Sequence, residues 1–188
     1  SFVILMSARG AGVIGEPTYQ VMIAATILTL IVSPAMFMLA PRVARLMGFE
    51  RRRVEESLEA LGEQDLAGGV IICGYGIIGR HVFKVARDSG RPARVVELNS
   101  RTVEQMQAEG VPMIYGDATH PEVLEIAGAH RADCIVITLP DVASAVAATR
   151  AARSVAPDAR ILTRVAYENQ RQAALAAGAN DAIGEEVA

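Results

Sequence analysis

Hydrophobic and polar positions follow different patterns in two parts of the chain. From residue 17 to residue 41, no position carries a charged side chain. From residue 69 onward, short runs of β-branched residues alternate with segments whose apolar positions recur at helical spacing. The first pattern predicts one long apolar helix, and the second predicts a succession of strands and helices.

The second part of the chain is predicted to be an α/β domain. Strands are predicted at residues 70–73, 94–98, 113–115, 134–138, 161–165 and 181–183. Helices are predicted between them, near residues 78–89, 101–109, 121–127, 142–155 and 169–177. Four of these helices are followed by glycine, which is typical of helix C-termini. Successive strands separated by helices indicate a Rossmann-like, doubly wound parallel sheet, here preceded by a transmembrane α-helix.

The apolar segment at residues 19–40 has the length of a membrane span. A bilayer core of about 30 Å needs about 20 apolar residues in a helix. Thr26, Thr29 and Ser33 recur at helical spacing and can bond their own backbone or a neighbouring helix, and Pro34 is expected to kink the helix. A buried helix of a soluble domain is disfavoured by the arginines that follow. A signal peptide is disfavoured by the length of the run.

Charge is distributed unevenly although the net charge is only -3. Residues 42–53 contain five Arg and one Glu, whereas residues 54–66 contain five acidic residues and no basic one. The arginine cluster follows the predicted span, and the positive-inside tendency places residues 42–188 in the cytoplasm. The expected location is the inner membrane, as a multi-pass protein. The slightly acidic balance excludes general nucleic-acid binding, and the arginine cluster adjoins a span rather than forming a nucleic-acid patch.

The chain begins inside an apolar run that is too short to span a membrane. We interpret residues 1–8 as the end of an earlier membrane helix, so we expect the sequence to be a fragment of a larger protein. The predicted division is residues 1–47 as the end of a membrane domain, 48–68 as a charged helical linker and 69–188 as a nucleotide-binding domain. Glu16 is expected to be a solvated residue of the loop between two spans.

A glycine-rich loop follows the first predicted strand. Gly74, Gly76 and Gly79 have the G-x-G-x-x-G spacing, which permits a tight turn, the approach of a phosphate and close helix packing. Glu97 ends the second predicted strand, 23 residues after Gly74. A carboxylate there can accept both ribose hydroxyls and repels a 2′-phosphate, which predicts NAD(H) or an adenine nucleotide rather than NADP(H). The alternative is that the glycines serve packing alone.

The sequence shows no catalytic constellation. Its single lysine is Lys84, and no tyrosine is placed to pair with it as a catalytic base. The three histidines, His81, His120 and His130, are dispersed and are interpreted as surface or packing residues. Cys73 and Cys134 lie in apolar runs and are interpreted as core residues of a reduced compartment. We therefore expect no enzyme and no metal site, but a sensor domain.

Three motifs carry a resemblance to a known family. The segments GGVIICGYGIIGRHV, VVELN and IYGDATHPEVLEIAG together resemble the RCK N-terminal (TrkA-N) nucleotide-binding domain of potassium channels and transporters. The apolar span and arginine cluster are similar to the end of the membrane domain of Kef-type monovalent cation:proton antiporters. The ending GANDAIGEEVA resembles their YbaL/RosB-like branch. The resemblance implies a homodimeric antiporter of potassium or another monovalent cation, whose regulatory domain senses NAD(H), AMP or ATP.

The resemblance also implies a set of binding residues. Phosphates are held by Gly74, Gly76, Ile78 and Gly79, and the ribose by Glu97. The adenine side is contacted by Asp117 and Ala118, and Thr138 lines the site.

Two positions depart from the family pattern. Many relatives carry Arg where this chain has Ile77, and Arg80 could substitute for it. Many carry Asn where this chain has Ser144.

Two other functions stay open on the sequence alone. One is the regulatory domain of a potassium channel or uptake system, which shares the sensing domain. The other is a membrane-anchored NAD-dependent oxidoreductase, which requires a catalytic acid or base that the sequence does not show.

Overall fold

The computed structural model describes residues 2–46, 49–61 and 66–184. The chain divides into two compact units, Ser1–Phe49 and Glu50–Ala188. The two units differ in architecture. The first is a pair of apolar helices, and the second is a layered α/β domain.

The first unit contains helix α1 (Phe2–Gly10) and helix α2 (Glu16–Leu46). Within α2, Glu16–Leu39 is long and apolar enough to cross a membrane, with a mean hydropathy of 2.2 over its most apolar 18 residues. None of those 18 residues is buried against protein. Its polar residues are satisfied locally, because each of the hydroxyls of Thr26, Thr29 and Ser33 donates to the carbonyl four residues earlier, at 2.7–2.8 Å.

Glu16 lies at the start of α2 and not in the preceding loop, so its predicted loop position is wrong. A carboxylate is favourable there because the N-terminus of a helix carries partial positive charge. Glu16 also pairs with Arg9 at the end of α1, with 2.9 Å between Oε2 and Nη2. The Arg9 guanidinium lies 4.6 Å from the ring centroid of Tyr19, which is buried. These contacts fix the turn between the two helices.

The second unit is a six-stranded, wholly parallel sheet with helices between its strands. Its elements are α3 (Phe49–Leu61, which begins at the unit boundary), β1 (Val70–Cys73), α4 (Ile77–Asp88), β2 (Ala93–Glu97), α5 (Ser100–Ala108), β3 (Met113–Tyr115), α6 (Pro121–Ile126), β4 (Cys134–Ile137), α7 (Val142–Val155), β5 (Arg160–Val165), α8 (Arg171–Ala176) and β6 (Asp181–Gly184). The strand order is β3-β2-β1-β4-β5-β6. The predicted doubly wound fold is confirmed.

The observed elements differ from the predicted ones in small ways. About half of the predicted boundaries move by one residue and nearly all the others are unchanged, which is within the usual uncertainty of helix and strand ends. The predicted helix at residues 169–177 is divided into a 3₁₀ turn, Glu168–Gln170, and the short helix α8. The Gln170 side chain accepts from the backbone N–H of Ala166 at 3.0 Å, which holds the turn that precedes α8.

Strand β1 is buried on both faces of the sheet. Ile71 and Cys73 face a core formed mainly with α6 and α7, whereas Val70 and Ile72 face a core formed with α4 and α5. This alternation is the two-residue period of a strand covered on both sides. Both thiols are free, and burial raises the pKa of Cys73 to about 12.

Helix α3, which the sequence predicts as a charged linker, contributes to the core of the second unit. Val54 has no exposed surface and belongs to the cluster that packs on α6 and α7, and Leu58 packs against the same cluster. Val54 and Leu58 are four residues apart and therefore lie on one face of the helix. The remaining predicted linker residues at 62–65 lie outside the described residues.

Candidate functional site

The loop after β1 requires glycine at its first and third glycine positions. Gly74 has a φ of 97°, a left-handed conformation that side chains rarely adopt, and its N–H donates to the Val96 carbonyl at 2.8 Å. A Cβ on Gly79 would overlap the carbonyl oxygen of Gly74. Gly74 therefore makes the tight turn, and Gly79 allows helix α4 to approach it.

Gly76 is different, because neither backbone conformation nor packing requires a glycine there. Its φ is -70° and its ψ is -165°, which any residue can adopt. A Cβ at this position would meet no protein atom within 4 Å. The packing interpretation therefore fails at Gly76, while a glycine there leaves the start of helix α4 accessible to an outside group.

The start of α4 can bind a phosphate. Arg80 is the first residue whose N–H reaches back to Gly76, with 3.0 Å between the N and O atoms. By helix geometry, the N–H groups before it have no carbonyl one turn earlier and are directed toward the loop. Helix α4 has twelve residues, so its dipole adds partial positive charge at this end. Ile78 lies in this first turn, half-buried.

Glu97 connects the glycine loop to the next loop of the sheet. Its Oε2 accepts from the N–H of Tyr75, and its Oε1 accepts from the N–H of Asn99, both at 2.8 Å. The glycine loop and the acidic residue predicted 23 positions later therefore meet. Each carboxylate oxygen has a second lone pair, so the half-buried Glu97 can accept further hydrogen bonds, as a ribose would require.

Asp117 and Ala118 lie beside Glu97 but differ in orientation. The N–H of Gly116 donates to the Glu97 carbonyl at 3.0 Å, which places the exit of β3 next to that of β2. Asp117 is half-buried, and its Oδ1 accepts from the N–H and the hydroxyl of Thr119 at 2.9 and 2.7 Å. Ala118 is buried, and its methyl group belongs to the core.

Thr138 lies one residue beyond β4 and is buried. Its hydroxyl is 3.1 Å from the carbonyl oxygens of both Cys73 and Gly74, and a hydroxyl has one proton to give. The same Oγ1 would lie 3.1 Å from a Cβ on Gly74. Thr138 therefore stabilises the turn that follows β1 at Gly74.

Three further residues shape the site, and the sequence assigned no role to two of them. Asn99 caps α5, because its Oδ1 accepts from the N–H groups of Arg101 and Thr102 at 3.1 and 3.2 Å. Tyr75 is buried with its ring edge on Phe83. Arg80 donates to the Tyr75 carbonyl at 3.3 Å and lies 5.5 Å from its ring centroid. The cap could have been predicted from the sequence, because Asn99 directly precedes the helical pattern of α5 and Asn is a preferred N-cap residue.

The titratable side chains of His81 and Asp141 make structural contacts. His81 Nδ1 lies 2.7 Å from the carbonyl of Ile77 in its own helix. Asp141 caps α7 by accepting from the N–H of Ser144 at 2.8 Å, and this hydrogen bond lowers the pKa of Asp141. Within residues 2–46, 49–61 and 66–184, no group of three or more His, Cys, Asp or Glu side chains could hold a metal ion.

Comparison with known proteins finds one family and several relatives. The TrkA-N domain family matches residues 70–185. The putative cation/proton antiporter YbaL of Escherichia coli K12 is 23% identical over 97% of this chain and 33% of its own length. The glutathione-regulated potassium-efflux protein KefC of Cronobacter sakazakii is 27% identical over 94% of this chain and 28% of its own. The chain thus spans about a third or less of these relatives.

Solved structures share the fold. The TrkA-N domain of the inner membrane protein YbaL of Escherichia coli has a TM-score of 0.61 at 24% identity, over 65% of this chain and 90% of its own. The Kef C-terminal domain of Shewanella denitrificans, in its AMP-bound form, has a TM-score of 0.55 at 25% identity, over 62% and 70%. The GsuK channel bound to NAD has a TM-score of 0.58 at 20% identity, over 96% and 33%.

Proposed function

Because the chain belongs to the TrkA-N domain family through residues 70–185, we propose that it is the regulatory part of a monovalent cation:proton antiporter. The transported cation is potassium in this proposal. The ligand of the regulatory domain is NAD(H) or an adenine nucleotide. The domain is a sensor and not an enzyme.

The nucleotide proposal rests on Gly76 together with Glu97. Gly76 has no structural reason to be glycine, and it begins a helix whose first N–H groups suit a phosphate. Glu97 is fixed beside this loop through the Tyr75 N–H and retains acceptor capacity for ribose hydroxyls. Its negative charge disfavours a 2′-phosphate, so NADP(H) should bind less well than NAD(H). Related structures named for their bound NAD, ADP and AMP support this class of ligand.

The remaining predicted residues take supporting roles. Asp117 and the backbone of Ala118 border the adenine side, next to the Glu97 carbonyl. Arg80 is held at the loop by the Tyr75 carbonyl and can reach a phosphate in place of the arginine that is absent at Ile77. Thr138 keeps the Gly74 turn in place.

The antiporter proposal rests on relatives that match nearly the whole chain, including the apolar helix. YbaL and KefC align over 97% and 94% of the chain. In this proposal Glu16–Leu39 crosses the inner membrane of a multi-pass homodimer, and residues 42–188 are cytoplasmic. Cations and protons move through membrane helices of the larger protein. A nucleotide can shift transport only as far as its affinity differs between two states of the protein.

The binding test uses the purified 188-residue chain in detergent. AMP, ATP, NAD, NADH and NADPH are titrated in turn by calorimetry. We expect at least one of the first four to bind, NADPH to bind more weakly than NADH, and Glu97→Ala to lose about tenfold or more in affinity, since a charged hydrogen-bond partner is removed. Glu109→Ala, an exposed acid at the end of α5, is the matched control. Unchanged affinity in Glu97→Ala would refute the ribose assignment.

A second test separates the two uses of glycine in the loop. Gly76→Ala should leave the melting temperature nearly unchanged and weaken nucleotide binding, because its methyl group meets no protein atom. Gly79→Ala should unfold the domain at lower temperature, because its methyl group overlaps Gly74. If Gly76→Ala binds nucleotide as the wild type does, the phosphate assignment is wrong.

A potassium channel is the second candidate function, because GsuK matches 96% of this chain in fold. Proteoliposomes of the full-length protein distinguish the two. An antiporter acidifies or alkalinises the lumen when a potassium gradient is imposed without a membrane potential, whereas a channel passes potassium current without moving protons. Hydride transfer from bound NADH to an acceptor at enzyme-like rates would overturn both.

A further inference from the structure

We propose that helix α3 is part of the nucleotide site, because it holds the loop that follows β3, so that nucleotide binding and the docking of α3 strengthen each other. This inference rests on the nucleotide function proposed above. It identifies α3 as the element that would transmit nucleotide binding to the rest of the protein. The helix lies in the chain directly between the apolar helix and the domain.

The first contact is a packing contact at Gly116. Val54 of α3 has no exposed surface. A Cβ on Gly116 would lie 3.2 Å from Val54 Cγ2 and 2.6 Å from Val123 Cγ1, so Gly116 is enclosed between α3 and α6. Gly116 immediately precedes Asp117, and its N–H is bonded to the carbonyl of Glu97. One buried side chain of α3 therefore packs on the residue that joins the two predicted ligand-binding positions.

The second contact is at the edge of the sheet. β3 is an edge strand, so its outward N–H groups have no neighbouring strand. The N–H of Tyr115 donates to the Ser57 hydroxyl of α3 at 3.4 Å. This bond is long and therefore weak, so the burial of Val54 contributes more to docking than Ser57 does. Both contacts are made on the two residues that lead into Asp117.

Helix α3 depends on this docking for its own stability. It has 13 residues, and isolated helices of about 12–15 residues are marginal in water. Its opposite face is charged and exposed, with Arg52 and Glu56 forming a surface pair at 2.9 Å. Such a pair adds little stability. A ligand that fixes the Gly116–Asp117 loop therefore also favours the helical state of α3, and by linkage a docked α3 favours the ligand.

The consequence is a change in the length of the connection. Thirteen residues span about 20 Å as a helix. The same residues reach about 43 Å when extended. Docking of α3 would therefore shorten the segment that joins the domain to the apolar helix, which is a mechanical signal that needs no change within the sheet.

Hydrogen exchange on the 188-residue chain in detergent tests this directly, with AMP as the probe. We expect saturating AMP to slow exchange of the α3 amides about fivefold or more, in the range of ordinary coupling between sites. Exchange of the α8 amides (Arg171–Ala176) should slow much less, because α8 packs on β5 and β6, at the edge of the sheet opposite β3. A purely structural helix would show no difference between α3 and α8.

A pair of variants provides the reciprocal measurement. Val54→Ala should weaken AMP binding about fivefold. Val165→Ala removes the same atoms from the buried cluster near β6 and should leave AMP affinity unchanged. Ser57→Ala should have a smaller effect in the same direction, and it replaces Val54→Ala if that variant does not fold. Equal AMP affinities in the Val54 and Val165 variants would overturn the inference.

The two proposals fail in distinguishable ways. If the wild-type chain binds none of AMP, ATP, NAD or NADH, the nucleotide function itself is refuted. If AMP binds but α3 exchange is unaffected, the nucleotide function stands and the role of α3 is refuted.

Discussion

Helix α2 and strand β1 are built from the same aliphatic residues but are kept from water differently. Ile27 and Ile31 of α2 are 49% and 67% exposed, whereas Ile71 and Ile72 of β1 have no exposed surface. None of the 18 most apolar residues of α2 is buried by protein, which is the surface expected of a helix surrounded by lipid. β1 is enclosed by other strands and by helices on both faces. A span needs only suitable composition, while a central strand needs particular neighbours.

The two regions should tolerate different kinds of substitution. For a membrane-spanning α2, as proposed above, any aliphatic residue satisfies the requirement for an apolar surface, and only a charged residue violates it. In the α/β unit, side-chain shape and individual hydrogen bonds matter because the interior is close-packed. Matched substitutions in the two regions therefore separate composition from geometry.

A buried charge gives the largest expected effect. Ile72→Asp places an unpaired carboxylate in the central strand, which should cost more than about 4 kcal/mol and prevent folding of the α/β unit. Leu28→Asp, near the middle of Glu16–Leu39, should cost about 3 kcal/mol for insertion and leave the α/β unit folded. Membrane fractionation and circular dichroism report the two losses. A Leu28→Asp chain that still inserts fully would argue against a transmembrane α2.

Arginine substitutions should have the next largest effect, and only in the α/β unit. Arg153 donates to the carbonyls of Gly178, Pro157 and Ala159 and to the Asn180 side chain, at 2.6–3.0 Å. Arg153→Ala should lower the free energy of unfolding by about 2–4 kcal/mol, since these acceptors lose a charged donor. Arg150→Ala, an exposed neighbour on the same helix, is the control and should change it by less than about 0.5 kcal/mol.

The corresponding change in the first unit is Arg9→Ala. This substitution removes a single exposed ion pair and a ring contact. We therefore expect it to lower the stability of the first unit by about 1 kcal/mol or less. Urea titration followed by circular dichroism measures the α/β variants. Equal losses for Arg9 and Arg153 would contradict the contrast between the two regions.

Conservative aliphatic exchange should have a smaller effect. Ile71→Leu changes the shape of a side chain in a close-packed core and should lower the free energy of unfolding by about 1 kcal/mol. Ile27→Leu in α2 should be neutral for insertion, because both residues partition equally well into lipid. Thermal melting and membrane fractionation measure the pair. A core that accepts Ile71→Leu without loss would show looser packing than the structure indicates.

The smallest expected effect is a pH dependence at Asp141. The hydrogen bond from the Ser144 N–H lowers the pKa of this carboxylate below its ordinary value of 3.8. Its contribution is therefore present above that value and is lost as the pH falls through the lower, folded pKa. The melting temperature of the wild type should exceed that of Asp141→Asn at pH 6, and the difference should shrink below pH 3.8. A difference that grows on acidification would contradict the assigned direction.

Much of this architecture was predictable from local patterns. The glycines at 90, 110, 128 and 178 follow four of the helices, and each adopts a positive φ. The Asp141 cap and the alternation of Ile71 and Ile72 between two faces also follow from residue type and period. These features depend on neighbours in sequence, so the sequence alone contains the information.

The roles of Thr138, Ala118 and Val54 could not be predicted in this way. That Thr138 lines the site stays a prediction, and only the structure shows that its hydroxyl contacts the carbonyls of Gly74 and Cys73, 64 and 65 residues earlier. That Ala118 lies beside the ligand also stays a prediction, and only the structure shows that its methyl group is buried in the core. Val54 lies in a segment predicted as a charged linker, yet it packs on Gly116.

The sequence by itself determined the apolar span, the order of strands and helices, and the position of the glycine loop. Only the tertiary structure decided which side chains of the site face inward, that Gly76 is free of packing constraints, and that α3 belongs to the domain core. The physical reason is that hydrophobic period and backbone preference act within a few residues. Orientation at a sheet edge, by contrast, depends on contacts between residues that are distant in the chain.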